Sequence, residues 1–353
     1  MIMNGERYHI LQVIRPVAGG MRKYILDLLA HSTREIFRHT VFGPEDPALA
    51  AEVHTRGAEY LTADYRRPLL AAGQLRRSIQ DLRPQLIHSH GYQACVLTQL
   101  ATWGLGVPKV ATLHNMLSPR DLWVFRFTQR VLPRYRQFIA VSPPLGQMLA
   151  PLGPVEVLLW GVESQPARSP GGQEMAKILV ASRMLPGKGI ETFLQALAQL
   201  EGSCPPPYVV DLAGSGPALE TYQELGRQLK LDHRLRWWGY VEDMSRFWRT
   251  ADLVVLPSHQ EGLPLTLLEA MSWGVPIIAT AVGGIPQALD YGNCGTLVPA
   301  QDVESLSQRI GEFLQDPRPF WALAAKARHR QQALFSVSRA VQAQEGIYRA
   351  LLR

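Results

Sequence analysis

The sequence predicts an α/β protein of two tandem domains, each a parallel sheet covered by helices on both faces. Three observations carry this. Short apolar strands alternate with longer helical stretches along the whole chain, the pattern of βα repeats. A stretch rich in Pro, Gly and Ser, Glu163–Glu174, interrupts the alternation near the middle, and the pattern then starts again. The length, 353 residues, suffices for two domains of ordinary size.

In the first half, Tyr8–Val13 reads as a strand ending at the loop Val17-Ala-Gly-Gly20, and Met21–Ala30 as the helix after it. Thr40–Phe42, Leu86–Ser89, Val110–Leu113 and Phe138–Val141 are further strands, with helices over Leu69–Leu82 and Ala94–Trp103. Residues 118–136 read as a helix up to Pro133. In the second half the strands are Lys177–Ala181, Tyr208–Ala213, Leu235–Trp238, Leu253–Pro257, Val275–Thr280 and Thr296–Val298. The helices are Ile190–Leu200, Ala218–Leu229, one starting near Pro264, Val303–Leu314, Trp321–Phe335 and Arg339–Leu352. The domains are placed at 1–162, joined by the final helix 339–353, and at 163–338.

Composition bounds the function classes. A hydrophobic fraction of 46% and a charged fraction of 19% are those of a globular protein. The amino terminus has no apolar h-region, and no apolar run reaches the ~18 residues of a membrane span. Cys95, Cys204 and Cys294 form no CxxC pair, so no zinc or redox motif is supported. A cytoplasmic location is expected. The net charge of +6 lies wholly in residues 1–165, which hold 18 Lys+Arg against 12 Asp+Glu, the remainder holding 18 against 18. That half suits an anionic partner, and an ordinary basic surface is an equal reading. Nucleic acid is not an expected partner.

The most informative stretch is His259-Gln-Glu-Gly-Leu-Pro-Leu-Thr-Leu-Leu-Glu-Ala270. Glu261 is expected in a loop just after a strand, and Glu269 inside the following helix. Both can then face the crevice at the carboxyl edge of a parallel sheet, where open α/β sheets bind ligands. Acceptor-only oxygens suit sugar and ribose hydroxyls, and a helix amino terminus suits a phosphate. Upstream, Arg183 closes a strand and Lys188 follows in a Pro/Gly loop, two cations able to neutralise a diphosphate leaving group; solvated surface side chains are the competing reading. Gly214-Ser-Gly216 is a close-approach loop or a plain turn. Trp237-Trp-Gly-Tyr240 precedes a loop able to meet a nucleobase, or is core and rim. Gly19-Gly20 can bring a ligand to the first helix, or simply turn the chain.

His114 stands at a strand's carboxyl end, placed to face a cleft, while His88 and His90 are expected on opposite faces of their strand. The spacing supports no metal site. Within Ser118–Arg136, Trp123, Phe127 and Val131 share one helical face and Arg126 and Arg130 another. The segment Arg120–Arg136 therefore reads as a peripheral membrane contact at the inner face, or as a packed helix with a solvated basic face.

Taken in order, Ser182-Arg-Met-Leu-Pro-Gly-Lys-Gly189, Gly214-Ser-Gly-Pro217, the two-glutamate stretch, Gly283-Gly-Ile-Pro286 and Gly295-Thr-Leu-Val-Pro299 resemble the retaining glycosyltransferases of family 4. The resemblance runs over nearly the whole chain. It implies the GT-B fold, two Rossmann-like doubly wound domains facing across a cleft. It implies that Arg183 and Lys188 hold the donor diphosphate, Glu269 the donor ribose, and Glu261 the donor sugar. The backbone through Gly262, Leu263, Pro264, Leu265, Thr266 and Leu267 approaches the nucleotide, with Gly214, Gly216 and Tyr240 completing the donor site. Gly19 and Gly20 form the loop between donor and acceptor, and His114 lies near the transferred sugar. The chain departs from the common pattern at Trp160, where Asn is usual, and at Gln287, where Glu is usual.

The implied reaction is transfer of a sugar, with retention, from a nucleotide-sugar donor, a UDP-sugar first, to a hydroxyl of a sugar or lipid-linked acceptor in surface polysaccharide or glycolipid synthesis. No cofactor or metal is expected: the chain has no Asp-x-Asp triplet, which suits a site where Arg183 and Lys188 take the cation's place. A GT-B nucleotide-sugar epimerase and a non-catalytic sugar-nucleotide-binding subunit are the alternatives.

Overall fold

The computed structural model describes residues 7–16, 20–168 and 175–353. The chain forms two compact units, Met1–Trp160 with Val337–Arg353, and Gly161–Ser336.

The first unit runs β1 (Tyr8–Ile14), α1 (Gly20–His31), β2 (Phe37–Pro44), α2 (Pro47–Thr55), β3 (Glu59–Ala63), α3 (Pro68–Leu82), β4 (Leu86–His90), α4 (Tyr92–Ala101), β5 (Lys109–Leu113), α5 (Pro119–Val131), β6 (Gln137–Ala140), α6 (Pro143–Leu149) and β7 (Val155–Val157). Its strands form one parallel sheet in the order β3-β2-β1-β4-β5-β6-β7. The second unit runs β8 (Ala176–Ala181), α7 (Ile190–Glu201), β9 (Tyr208–Ala213), α8 (Leu219–Gln228), β10 (Leu235–Gly239), α9 (Ser245–Thr250), β11 (Leu253–Leu256), α10 (Leu265–Trp273), β12 (Ile277–Thr280), α11 (Ile285–Ala288), β13 (Thr296–Val298), α12 (Val303–Gln315) and α13 (Arg318–Leu334). Its parallel sheet has the order β10-β9-β8-β11-β12-β13. The last helix, α14 (Val337–Leu352), packs on α1 and β4 in the first unit.

Both sheets are sandwiched between helices, so their central strands are apolar on both faces. Every residue of β11, Leu-Val-Val-Leu, and of β12, Ile-Ile-Ala-Thr, is buried. Ile178, Val180, Phe193, Leu197, Val210, Leu212, Val255 and Ile310 anchor one continuous core beneath the second sheet. Leu11, Val13, Leu75, Ile79, Ile87 and Leu97 do the same between the first sheet and the α3–α4 layer. Truncating one such Leu or Ile to Ala costs ~2–5 kcal/mol.

Several elements depart from the expected bounds. β2 extends to Phe37–Pro44, and α13 starts at Arg318 because Pro319 occupies its first turn. β3, β7, α2, α6 and α11 were absent from the expectation, while the helix expected after the loop from Glu242 is α9. β3 lies at the sheet edge with only Tyr60 and Ala63 buried, and β7 and α11 are three and four residues long, too short to show a period.

Each sheet reverses its strand order once. In the first the reversal lies between β1 and β4, in the second between β8 and β11. At such a point the loops leave the carboxyl ends in opposite directions and open a crevice. The residues of interest gather there.

Candidate active site

In the second unit the crevice is walled by the loop after β8, residues 182–189, and the loop after β11, residues 257–264. Lys188 and Glu261 stand on opposite walls and meet: Lys188 Nζ donates to Glu261 Oε1 at 2.6 Å, with the two side chains 18% and 9% exposed. Ser258 Oγ donates to the same carboxylate oxygen at 2.7 Å. The carbonyl of Ser258 is itself fixed by Thr280 Oγ1 at 2.5 Å, from the end of β12. The carboxylate is thus held between a cation and a hydroxyl, and the ammonium keeps two N–H directions for another anion.

The backbone fits the walls together. Gly189 has φ +69°, and a Cβ there would stand 1.8 Å from Pro257 O. His259 N donates to Gly187 O at 2.9 Å across the same seam. On the other flank Gly283, φ +56°, would put a Cβ 1.9 Å from Glu261 O, and Gly284 N donates to Gly262 O at 2.6 Å. Toward β10, Met184 N donates to Ser215 O at 2.9 Å and Gly214 N to Gly239 O at 2.6 Å. Five loops at one sheet edge are therefore joined by main-chain contacts, with Gly214 and Gly216 in the loop after β9.

Arg183 begins this edge. Its side chain is exposed and carries no partner among the described residues. Pro264 is the N-cap of α10 and supplies no side-chain hydrogen bond, so the amides of Leu265 and Thr266 lack intrahelical partners. Leu267 is fully buried and its amide donates to Pro264 O at 3.1 Å. Glu269 is half-buried in the second turn of α10. Uncapped helical amides, a cation without a partner among the described residues and a half-compensated lysine are groups whose chemistry suits an anion. Tyr240 is 67% exposed just beyond β10. Trp238 is tied down, its Nε1 donating to Asp211 Oδ1 at 2.8 Å beneath the Arg246 guanidinium.

In the first unit the reversal lies above Ile14 and His90. Gly19 lies outside the described residues, and Gly20 opens α1. His114 follows β5 with its ring edge-on to Tyr24, centroids 4.7 Å apart, and its buried Nε2 has no hydrogen-bond partner among the described residues. Burial, with Arg15 adding to it, pushes its pKa down to about 3. His88 and His90 correct an expectation. Their rings lie on one face, centroids 4.0 Å apart, because a pleat alternates every residue and so returns i and i+2 to the same side.

Behind them runs a directed hydrogen-bond chain. Ser32 Oγ donates to Glu345 Oε1 at 2.9 Å, so it accepts from His39 Nε2 at 2.8 Å. His39 Nδ1 then accepts from Gln12 Nε2 at 3.0 Å, and Gln12 Oε1 accepts from His90 Nε2 at 2.7 Å. His88 bridges Tyr348 OH and Thr112 Oγ1 at 2.6 and 2.7 Å. The chain sets the histidine tautomers and seats α14 in the unit. Burial holds His88 and His90 well below the usual histidine range.

Among the described residues no three His, Cys, Asp or Glu side chains group as a metal site, and no helix is long and apolar enough to cross a membrane.

Residues 163–332 match the family model described as Glycosyl transferases group 1, and residues 18–165 the one described as Glycosyltransferase Family 4. A D-inositol 3-phosphate glycosyltransferase of Streptomyces griseus subsp. griseus is 30% identical over 317 residues, 76% of this chain and 67% of that protein. The chain belongs to glycosyltransferase family 4. Another relative, the GDP-mannose-dependent alpha-(1-6)-phosphatidylinositol monomannoside mannosyltransferase of Mycolicibacterium smegmatis, is 31% identical over 161 residues. That match covers 43% of this chain and 42% of the relative, so it spans less than half of the mannosyltransferase's length. Anabaena HepE, solved in complex with UDP and glucose, superposes with a TM-score of 0.83 at 21% identity, covering 98% of this chain and 100% of that one. The likeness shows the fold of this chain: GT-B, with two Rossmann-like units.

Within this family 4 chain no local pattern marks Ser258, Thr280 and Gly189 as site residues. Their roles depend on which loops become neighbours in the sheet order. The only sequence signal was Ser258 three residues before Glu261, a spacing common in turns. The clustering of His39, Gln12, Ser32 and Glu345 was equally invisible, since it joins positions as far apart as 32 and 345.

Proposed function

We propose that the chain transfers a sugar from a nucleotide-sugar donor, a UDP-sugar first, to an acceptor hydroxyl with retention of the anomeric configuration. The observation that carries this is the Lys188–Glu261 pair at the β8/β11 reversal, with partnerless Arg183 and the uncapped start of α10 on the same edge. Arg183 binds the donor diphosphate as a planar fork, and Lys188 adds its two remaining donors. Bond cleavage concentrates charge on the leaving diphosphate, where these donors act, and the diphosphate takes the acceptor proton on the face it leaves. Glu269 binds ribose hydroxyls. Glu261, fixed by Lys188 and Ser258, accepts from a hydroxyl of the donor sugar. His114 lies near the transferred sugar on the first unit's edge.

The acceptor is a sugar or lipid-linked sugar, in keeping with the phosphatidylinositol mannoside named for the M. smegmatis relative, and the enzyme works as a peripheral protein at a membrane. The donor is tested by thermal shift of the purified chain with UDP-sugars and GDP-mannose, each with and without Mg²⁺. Stabilisation by a nucleotide sugar, equal with and without Mg²⁺, is expected. No shift with any of them contradicts the reading.

A further inference from the structure

Helix α5 is oriented against the usual rule for an amphipathic helix. It packs on the first unit through Phe125, Thr128 and Gln129, with Phe125 edge-on to Tyr92 and Phe138 at centroid distances of 5.7 and 5.8 Å. The opposite face presents Trp123, Phe127 and Val131, which are 68%, 54% and 50% exposed. The Trp123 and Phe127 rings stack in parallel, 6.2 Å apart at 9°, forming one flat apolar plate. Arg120, Arg126, Arg130 and Arg134 are exposed around it and have no carboxylate partner among the described residues. The single acid of this stretch, Asp121, is engaged at the helix start, where its amide bonds Ser118 Oγ at 3.1 Å and its Oδ2 accepts from Ser118 Oγ at 2.7 Å.

The plate does not stand alone in its layer. Helices α3, α4 and α5 pack side by side in one layer. Each follows the carboxyl end of a parallel strand, so their amino termini share the sheet edge where β1 and β4 diverge. At the start of α3, Leu69 and Leu70 are 82% and 49% exposed beside exposed Arg66 and Arg67. One helical layer of the unit therefore carries apolar side chains with cations among them, and of these cations Arg66 alone is paired among the described residues, with Asp64 at 3.1 Å.

We propose that this rim, formed by the outer face of α5 and the start of α3, seats on an anionic phospholipid bilayer and brings the β1/β4 crevice to acceptors carried in that bilayer. The aromatic plate enters the headgroup boundary and the arginines meet lipid phosphates, the division of labour of an interfacial helix. A second copy of the chain fits poorly, because opposing two such faces sets arginine against arginine. The identity of the acceptor rests on the glycosyl-transfer reading, whereas docking is measured without turnover.

The test is co-sedimentation of the full chain with phosphatidylcholine vesicles and with vesicles containing phosphatidylglycerol, with UDP binding measured on the same preparations. The wild type is expected to pellet with the anionic vesicles only, and less as salt rises. The variants Trp123→Ala/Phe127→Ala and Arg126→Glu/Arg130→Glu should each bind about tenfold more weakly or worse. Their melting temperatures and UDP affinities should stay at wild-type values, because all four side chains are exposed. Wild-type protein left in the supernatant with anionic vesicles, equal pelleting with neutral ones, or variants that pellet like the wild type overturns the docking. If UDP binding is absent while vesicle binding persists, the transfer reading fails and the docking stands.

Discussion

Lys188 Nζ lies 2.6 Å from Glu261 Oε1, so the cation of one crevice wall is compensated by the carboxylate of the other. Two residues 73 positions apart thereby form one unit. Both are desolvated enough that removing one strands its partner. Lys188→Met and Glu261→Gln should each destabilise by ~2 kcal/mol, and the double variant by less than the sum, with a coupling of about 1–3 kcal/mol. Urea melts of the four proteins measure this. Additive single effects mean that the pair is not coupled in solution.

The seam around the pair depends on close backbone approach. An alanine at Gly283 would put its Cβ 1.9 Å from Glu261 O, whereas at Gly187, φ +86°, nothing lies within 4 Å. Gly187→Ala should cost only ~1 kcal/mol of left-handed strain, while Gly283→Ala costs at least ~3 kcal/mol and displaces Glu261. Equal melting temperatures for the two variants would show that the Gly283 approach is not tight.

Acid should unfold the first unit through its histidines. Burial pushes His39 down to about 3, with His9 adding to it, and His114 also to about 3. Each is neutral in the fold and protonates near pH ~6.5 once unfolded, so the unfolded chain binds more protons below that pH. Their stabilisation is complete above pH ~6.5 and is lost progressively as the pH falls toward about 3. At about pH 5 one such histidine accounts for ~2 kcal/mol. Denaturant melts from pH 8 to pH 4 should show this slope, and His39→Gln should flatten it. A stability profile unchanged across that range contradicts the assignment.

Much of the fold was legible because it rests on local signals. β9 and β13 follow from their residues alone, and the strand–loop–helix order around Glu261 was readable from an apolar run, a Gly and Pro264. What could not be read depends on tertiary neighbours. Lys188 and Glu261 were assigned separate duties, and only the placement of β8 beside β11 makes them partners. The α5 face stayed open between two readings for a related reason: periodicity identifies Trp123, Phe127 and Val131 as one stripe but does not say which stripe packs. The smaller Phe125, Thr128 and Gln129 face turned inward because Tyr92 and Phe138 offer it a fitted surface. The opposed placement of His88 and His90 was a misapplied pleat rule, corrected by two rings 4.0 Å apart.

The central claim is that the β8/β11 crevice binds the donor diphosphate, and Arg183 isolates it, because its exposed, partnerless side chain makes no structural contribution. Calorimetric titration of UDP into the wild type and Arg183→Ala tests it most directly. The account predicts a melting temperature unchanged within about 0.5 kcal/mol of stability and a UDP dissociation constant raised at least about tenfold. Equal dissociation constants for the two proteins would contradict it.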